Sequence, residues 1–158
     1  MKQFFIDIET NQSLDPKTGI ITQLAGIIKQ NGKIKKRVNF NKNIYENLVE
    51  TLNTYIDPFN KTDKCYFIGY NAKFDSDFIR ELFNKNNNKF YGSYFHKVPV
   101  DVLNLVAYKF MIRNISTDNF KLGTIAKKLD VPVKEDSLHD AAYDINITNE
   151  IYKKIIKL

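Results

Sequence analysis

Asp7 and Glu9 stand two apart within Phe4-Phe5-Ile6-Asp7-Ile8-Glu9-Thr10. A strand turns successive side chains to opposite faces, so both carboxylates point the same way, with Phe5 preceding them. Phe4, Ile6 and Ile8 line the other face. Apolar residues on both faces place such a strand in the interior of a sheet. Two carboxylates held there repel each other and lose water, at several kcal/mol per buried ion. Beyond Lys2 the strand offers no basic residue to balance them, so a bound divalent cation is the economical solution. The competing reading is that the pair marks a solvated strand end.

Three further residues have the chemistry to join them. The last helix is predicted from about Asp140 to Ile156, with an apolar stripe of Ala141, Ile145, Thr148, Ile151, Tyr152 and Ile155. Asp144 falls on that stripe, three after Ala141 and four before Thr148. An acid facing a core needs a partner, which is a salt bridge or a metal. Asp140 lies off the stripe and reads as surface or helix-start charge. His139 precedes the helix about one turn from Asp144. A lone His is commonly structural, but beside carboxylates it can take a proton from water. Asp75 follows Asn71-Ala72-Lys73-Phe74, where it or Asp77 can serve as a helix N-cap. The turn it sits on also follows a strand, which brings it to the same sheet edge as Asp7.

The elements that must position these groups follow from periodicity and turn residues. Asn11 to Gly19 reads as a turn, Ile20 to Lys29 as a second strand, and Asn31-Gly32 as a hairpin into a third strand over Lys33 to Phe40. A helical stripe spans Ile44 to Tyr55, and Cys65 to Tyr70 reads as a short strand. A second helix is predicted from about Asp75 to Phe83, followed by a polar, mobile break over Asn84 to Asn88. Val98 to Val102 reads as a fifth strand, and Leu103 to Met111 as a helix capped by Asp101. Lys121 to Leu129 is a further helix, ended by Val131-Pro132-Val133. The order predicts an α/β fold, a mixed five-stranded sheet flanked by helices. Ligands on such sheets gather at the carboxyl ends of parallel strands, where Asp7 and Glu9 would sit.

Composition narrows the class. The 158 residues predict one domain over 1–158, and 43% hydrophobic content excludes a disordered chain. No apolar run reaches the roughly 18 residues of a membrane span, and no signal-peptide core opens the chain, so no membrane partner is expected. Cys65 is alone, which excludes an internal disulfide and a cysteine-rich zinc site and points to the reducing cytoplasm. The net charge of +6 suits a polyanionic partner, with ordinary solubility as the plainer explanation.

Three short motifs carry a resemblance. Asp7-Ile8-Glu9-Thr10, Asn71-Ala72-Lys73-Phe74-Asp75, and His139 spaced five before Asp144 resemble, in order and separation, those of the DEDDh family of 3′–5′ exonucleases. That family includes bacterial proofreading subunits and RNase T. The match spans nearly the whole chain. It departs at Asn11-Gln12 after the first motif and at Tyr70 before the second, which bear on substrate preference.

The resemblance implies an RNase H-like fold and release of nucleoside monophosphates from single-stranded or frayed DNA ends. Two Mg²⁺ or Mn²⁺ ions about 3.5–4 Å apart would stabilise the cleaved phosphodiester. In that scheme Asp7 bridges both ions, Glu9 and Asp144 hold the ion carrying the attacking water, Asp75 supports the second, and His139 is the general base. Thr10 and Asn11 would grip the terminal nucleotide, and Asn71 and Phe74 would lie beside it, although Phe74 also suits core packing. A separate DNA polymerase chain is a candidate partner. The alternatives are trimming of RNA 3′ ends, since the 2′-hydroxyl is read by pocket shape, a non-catalytic nucleic-acid-binding or polymerase-docking module, and an endonuclease on a related fold.

Overall fold

The computed structural model describes residues 1–158. The apolar run at the N-terminus forms β1 (Lys2–Thr10), and the Asn31-Gly32 turn joins β2 (Ile21–Gln30) to β3 (Lys33–Phe40). Asn31 and Gly32 both take positive φ, as a two-residue hairpin that matches strand twist requires. After α1 (Ile44–Tyr55) the chain alternates: β4 (Cys65–Gly69), α2 (Ala72–Lys85), α3 (Tyr91–Tyr94), β5 (Val100–Asp101), α4 (Val102–Ile112), α5 (Leu122–Lys128) and α6 (Ala141–Ile155). The sheet order is β3-β2-β1-β4-β5. β1, β2 and β3 run antiparallel, while β4 and β5 lie parallel to β1 and to each other in turn. The expected mixed five-stranded sheet is thus formed, with β1 at its centre.

Both sides of β1 are covered. Phe4, Ile6 and Ile8 pack with Leu48 and Leu52 of α1 and with Phe78, Ile79 and Phe83 of α2. Phe5 points the other way, into a second core with Val106 of α4, Ile125 of α5, and Ile145 and Ile151 of α6. Asp7 and Glu9 share the Phe5 face, so they look toward α6. Gly26 is needed opposite Ile6, because a Cβ there would lie 2.4 Å from the Phe4 ring and 2.8 Å from the Phe5 carbonyl oxygen.

Two features of β1 open its end to the site. Its parallel pairing with β4 stops at the Phe5–Ile68 pair, while β1 itself runs on to Thr10. Its register with β2 slips after Glu9, a bulge of the kind that re-aims side chains beside functional sites.

Several boundaries differ from the expectation. α2 starts at Ala72, not near Asp75, because Asn71 adopts φ 62° and turns the chain at once. Asn tolerates this left-handed conformation better than most residues. α2 also continues through Lys85, which shortens the polar break; Asn88 then donates its backbone N–H to the Phe83 carbonyl at 2.9 Å. β5 shrinks to two residues, since Pro99 has no N–H to donate and Asp101 already turns into α4. α3 was not foreseen: four residues carry no periodicity, and it is held by Tyr91 and Tyr94 packing edge-on to Phe83, each at 5.8 Å. No helix is long and apolar enough to cross a membrane.

Candidate active site

The end of β1 and the first turn of α6 meet at the carboxyl edge of the sheet. Ligand oxygens of Asp7, Glu9 and Asp144 lie within 4.8 Å of one another. Asp7 and Glu9 are half-buried, and Asp144 is only 9% exposed. None of the three forms an ion pair with a lysine or arginine. The salt-bridge reading of Asp144 is therefore not realised. One of its oxygens, Oδ2, accepts the backbone N–H of His139 at 3.1 Å, while Oδ1 has no hydrogen-bond partner at all.

Asp75 approaches from the other face of the sheet. It lies one turn into α2, so it is not an N-cap, and it is 4% exposed. Asp77 does not cap the helix either; it pairs with Lys73. The turn that delivers Asp75 is fixed by Asp101, whose Oδ1 accepts the N–H groups of both Asn71 and Leu103 at 3.0 Å. Asp101 thus caps α4, as expected, and ties α2 to it. Asp75 falls outside the 4.8 Å group, yet its charge raises Asp7 more than any other neighbouring charge does.

The electrostatics are those of crowded anions. Burial, followed by the charges of Asp75, Asp144 and Glu9, holds the Asp7 carboxyl well above the usual carboxylate range. Burial likewise raises Asp75 well above it, tempered by the Ile8 backbone N–H. Glu9 and Asp144 are also raised, first by burial, with the nearby His139 acting in the opposite direction. Burial and the neighbouring carboxylates disfavour the charged form, and a bound cation would offset both. An all-oxygen donor set with an orphaned buried carboxylate oxygen fits a hard divalent ion.

His139 is exposed and takes φ 71°, a left-handed conformation for a residue with a Cβ. It lines, together with Asp144, Leu138, Lys121, Thr124 and Lys127, a cavity of about 500 Å³ between α5 and the start of α6. Lys127 is paired with Glu135 across it. A solvent-facing imidazole beside a carboxylate cluster can exchange a proton with water.

The remaining expected contacts are placed around the same edge. Thr10 is half-buried, with its hydroxyl on the Ser13 carbonyl at 3.2 Å. Asn11 closes the loop over residues 11–20: its N–H donates to Ile20 O at 3.1 Å, and its Oδ1 accepts Ile20 N–H at 3.0 Å. Asn71 is exposed, and Phe74 is half-buried with its ring 4.8 Å from Phe78. Phe74 therefore packs on the core, as expected. Lys85 donates to the carbonyls of Pro16 and Gly19 and pins the same loop to α2. His96 is far from this role and stacks on Tyr66, with centroids 4.2 Å apart.

Sequence reasoning passed over Gln23. It pairs directly across from Glu9 and shares its face. Its Oε1 accepts the Ala141 N–H at 3.2 Å, while its Nε2 donates to Asp140 Oδ2 at 3.2 Å and to Asn39 Oδ1 at 3.1 Å. The available signal was a lone amide on the α6-facing side of a strand whose next residues on that side are Ala25 and Ile27.

Comparison with known proteins identifies the superfamily and the fold. The RNase_H superfamily model matches residues 4–143. The chain is 25% identical over 170 residues to the 3′-5′ exonuclease DinG of Bacillus subtilis (strain 168), an alignment covering 96% of this chain and 17% of that protein. It superposes on exonuclease I from Methylocaldum szegediense with a TM-score of 0.77 at 15% identity, covering 99% of this chain and 40% of that one. On E. coli exonuclease I in complex with a dT13 oligonucleotide the TM-score is 0.74 at 17% identity, covering 99% and 41%. At these identities the solved structures establish the fold. The chain spans about a sixth of the curated relative and two fifths of the solved structures.

Proposed function

The chain belongs to the RNase H superfamily, and from that premise we propose that it is a DEDDh-type 3′–5′ exonuclease, releasing nucleoside monophosphates from single-stranded or frayed DNA ends. The observation that carries the reading is the convergence of Asp7, Glu9 and Asp144 within 4.8 Å, unpaired by any lysine or arginine. A structural cluster would be expected to carry its own cation, because carboxylates so placed are otherwise destabilising. The named relatives, an exonuclease and an exonuclease I complex with an oligonucleotide, support DNA ends as the substrate class.

In this reading Asp7, Glu9 and Asp144 hold Mg²⁺ or Mn²⁺, with Asp75 completing the set for a second ion. When bound, such ions supply Lewis-acid stabilisation of phosphate charge and activation of water. The chain's own groups do the rest. His139, at the solvent-facing rim, takes the proton from the attacking water. Its backbone N–H holds Asp144 Oδ2, which keeps the base and the carboxylate in register. Thr10 and Asn11 border the terminal nucleotide; the Asn11 N–H is already bonded to Ile20, so its carbonyl and amide NH₂ are the groups left for substrate. Asn71 and the exposed part of Phe74 border the same nucleotide from α2. The basic surface, net +6, favours approach of the polyanion.

The test uses single-stranded DNA and RNA of one sequence, labelled at either end, with Mg²⁺, Mn²⁺ or EDTA. Metal-dependent ladders that shorten from the 3′ end, and are absent in Asp7→Ala, are expected, with DNA cut faster than RNA. Faster cutting of RNA would make the chain a 3′-end trimming exoribonuclease. Salt-sensitive binding without cleavage, unaffected by Asp7→Ala, would overturn the enzyme reading in favour of a binding module.

A further inference from the structure

We infer that Gln23 is a positioning residue of the active site: a clamp that sets the first turn of α6, and with it Asp144 and His139, against the end of β1. The inference rests on the proposed metal-dependent activity and adds to it a residue outside the three motifs.

The geometry is a two-way grip. The Gln23 amide accepts from the Ala141 N–H and donates to the Asp140 carboxylate, so both residues between His139 and the body of α6 are held by one side chain. Asp140 passes the constraint on. Its other oxygen accepts the Tyr143 N–H at 2.9 Å, and its carbonyl accepts the Asp144 N–H at 2.8 Å. Gln23 itself sits on β2 directly opposite Glu9. The carboxylate of β1 and the carboxylate of α6 are thereby referenced to a single side chain. No main-chain hydrogen bond can do this, because α6 and the sheet are different layers.

The requirement is chemical as well as steric. The grip needs an acceptor for Ala141 and a donor for Asp140 on one side chain, which an amide provides and a carboxylate does not. Asn39 steadies the donor end from β3 at 3.1 Å. Groups that orient metal ligands from behind commonly change metal affinity or activity by about 10–100-fold when removed.

The test compares wild type, Gln23→Met and Asn39→Ala. Methionine keeps the length and packing of the side chain but removes both hydrogen bonds to α6; Asn39→Ala removes only the outer brace. Free Mn²⁺ is counted by its EPR signal, kcat and KM are measured on a labelled single-stranded oligonucleotide, and melting is followed without metal. Gln23→Met is expected to bind Mn²⁺ about 10-fold more weakly and to lose about 10–100-fold in kcat. KM for the oligonucleotide should change little, and Asn39→Ala should stay near wild type. Gln23→Met with wild-type Mn²⁺ binding and kcat, whatever its melting temperature, would overturn the clamp while leaving the exonuclease reading intact. Wild type that neither binds Mn²⁺ nor cleaves would overturn both.

Discussion

His139 and Asp144 are joined through the main chain: the His139 backbone N–H donates to Asp144 Oδ2 at 3.1 Å, while the imidazole stays free at the rim of the cavity. Substituting the side chain therefore leaves this link intact and reports on the imidazole alone. Because residue 139 takes φ 71°, asparagine is the substitution that best tolerates the backbone. His139→Asn is expected to lower kcat by about 10²–10⁴-fold, the usual weight of a general base. Mn²⁺ binding, followed by EPR, should be unchanged. An equal loss of Mn²⁺ affinity would show that the imidazole serves the metal rather than the proton.

The raised Asp7 carboxyl makes a prediction about stability without metal. A carboxyl whose folded value lies above its unfolded one binds protons more readily in the folded state. Its contribution to stability therefore falls as pH rises from the ordinary carboxylate range toward the raised value. Once Asp7 ionises, its burial and the neighbouring carboxylates work against folding. Asp7→Asn is expected to melt higher than wild type in EDTA at pH 7, by about 2–4 °C, the shift that about 1 kcal/mol produces at this size. The difference should shrink on acidification. Calorimetry across about pH 4.5–7.5, a window running about three units upward from the ordinary carboxylate range, checks both statements.

Metal addition should relieve the same repulsion in wild type. A ligand bound only by the folded state stabilises it by about 2.7 kcal/mol at one hundred times its dissociation constant. Mn²⁺ or Mg²⁺ is expected to raise the melting temperature at pH 7.5. The gain should fade at lower pH as Asp7, Asp75, Glu9 and Asp144 take up protons, since a protonated carboxylate is a poor ligand. Asp7→Asn should show little gain at any pH. Thermal melts with graded metal test this directly.

Asp101 supports the site from below, through its two N–H acceptor bonds to Asn71 and Leu103. Asp101→Ala removes a helix cap and is expected to cost about 0.5–2 kcal/mol. Because it also frees the turn that carries Asp75, its kcat should fall further than that of an equally destabilised core variant such as Ile155→Val. Asn71→Gly keeps the left-handed turn and should keep its kcat, with any loss confined to KM for the oligonucleotide, whereas Asn71→Val, with a branched Cβ at φ 62°, should lose kcat as well. Denaturant melts paired with kcat on an oligonucleotide separate these effects.

Gly26 offers a packing test independent of the site. Gly26→Ala puts a methyl into the Phe4 ring and the Phe5 carbonyl, both closer than a real Cβ contact allows. A loss of about 1–3 kcal/mol is expected from such overpacking, measured by chemical denaturation.

What the sequence alone determined was whatever depends on local repeat. The two-residue period of β1 put Asp7 and Glu9 on one face, and the helical stripe of α6 put Asp144 toward the core; both hold. The hairpin at Asn31-Gly32, the mixed sheet and the cap at Asp101 follow from turn and capping chemistry that is written in adjacent residues. What only the tertiary structure decided was which of these faces meet. Local reasoning favoured Asp75 as an N-cap; the left-handed turn at Asn71, held by a residue from β5, moved it inside α2 and beside Asp7. Gln23 showed in the sequence only as a lone amide beside apolar residues, because its two partners at the start of α6 lie more than a hundred residues away and become neighbours only when α6 packs on β2. Periodicity reports a residue's direction relative to its own backbone. Distance between layers is set by packing, and the candidate site depends on that distance.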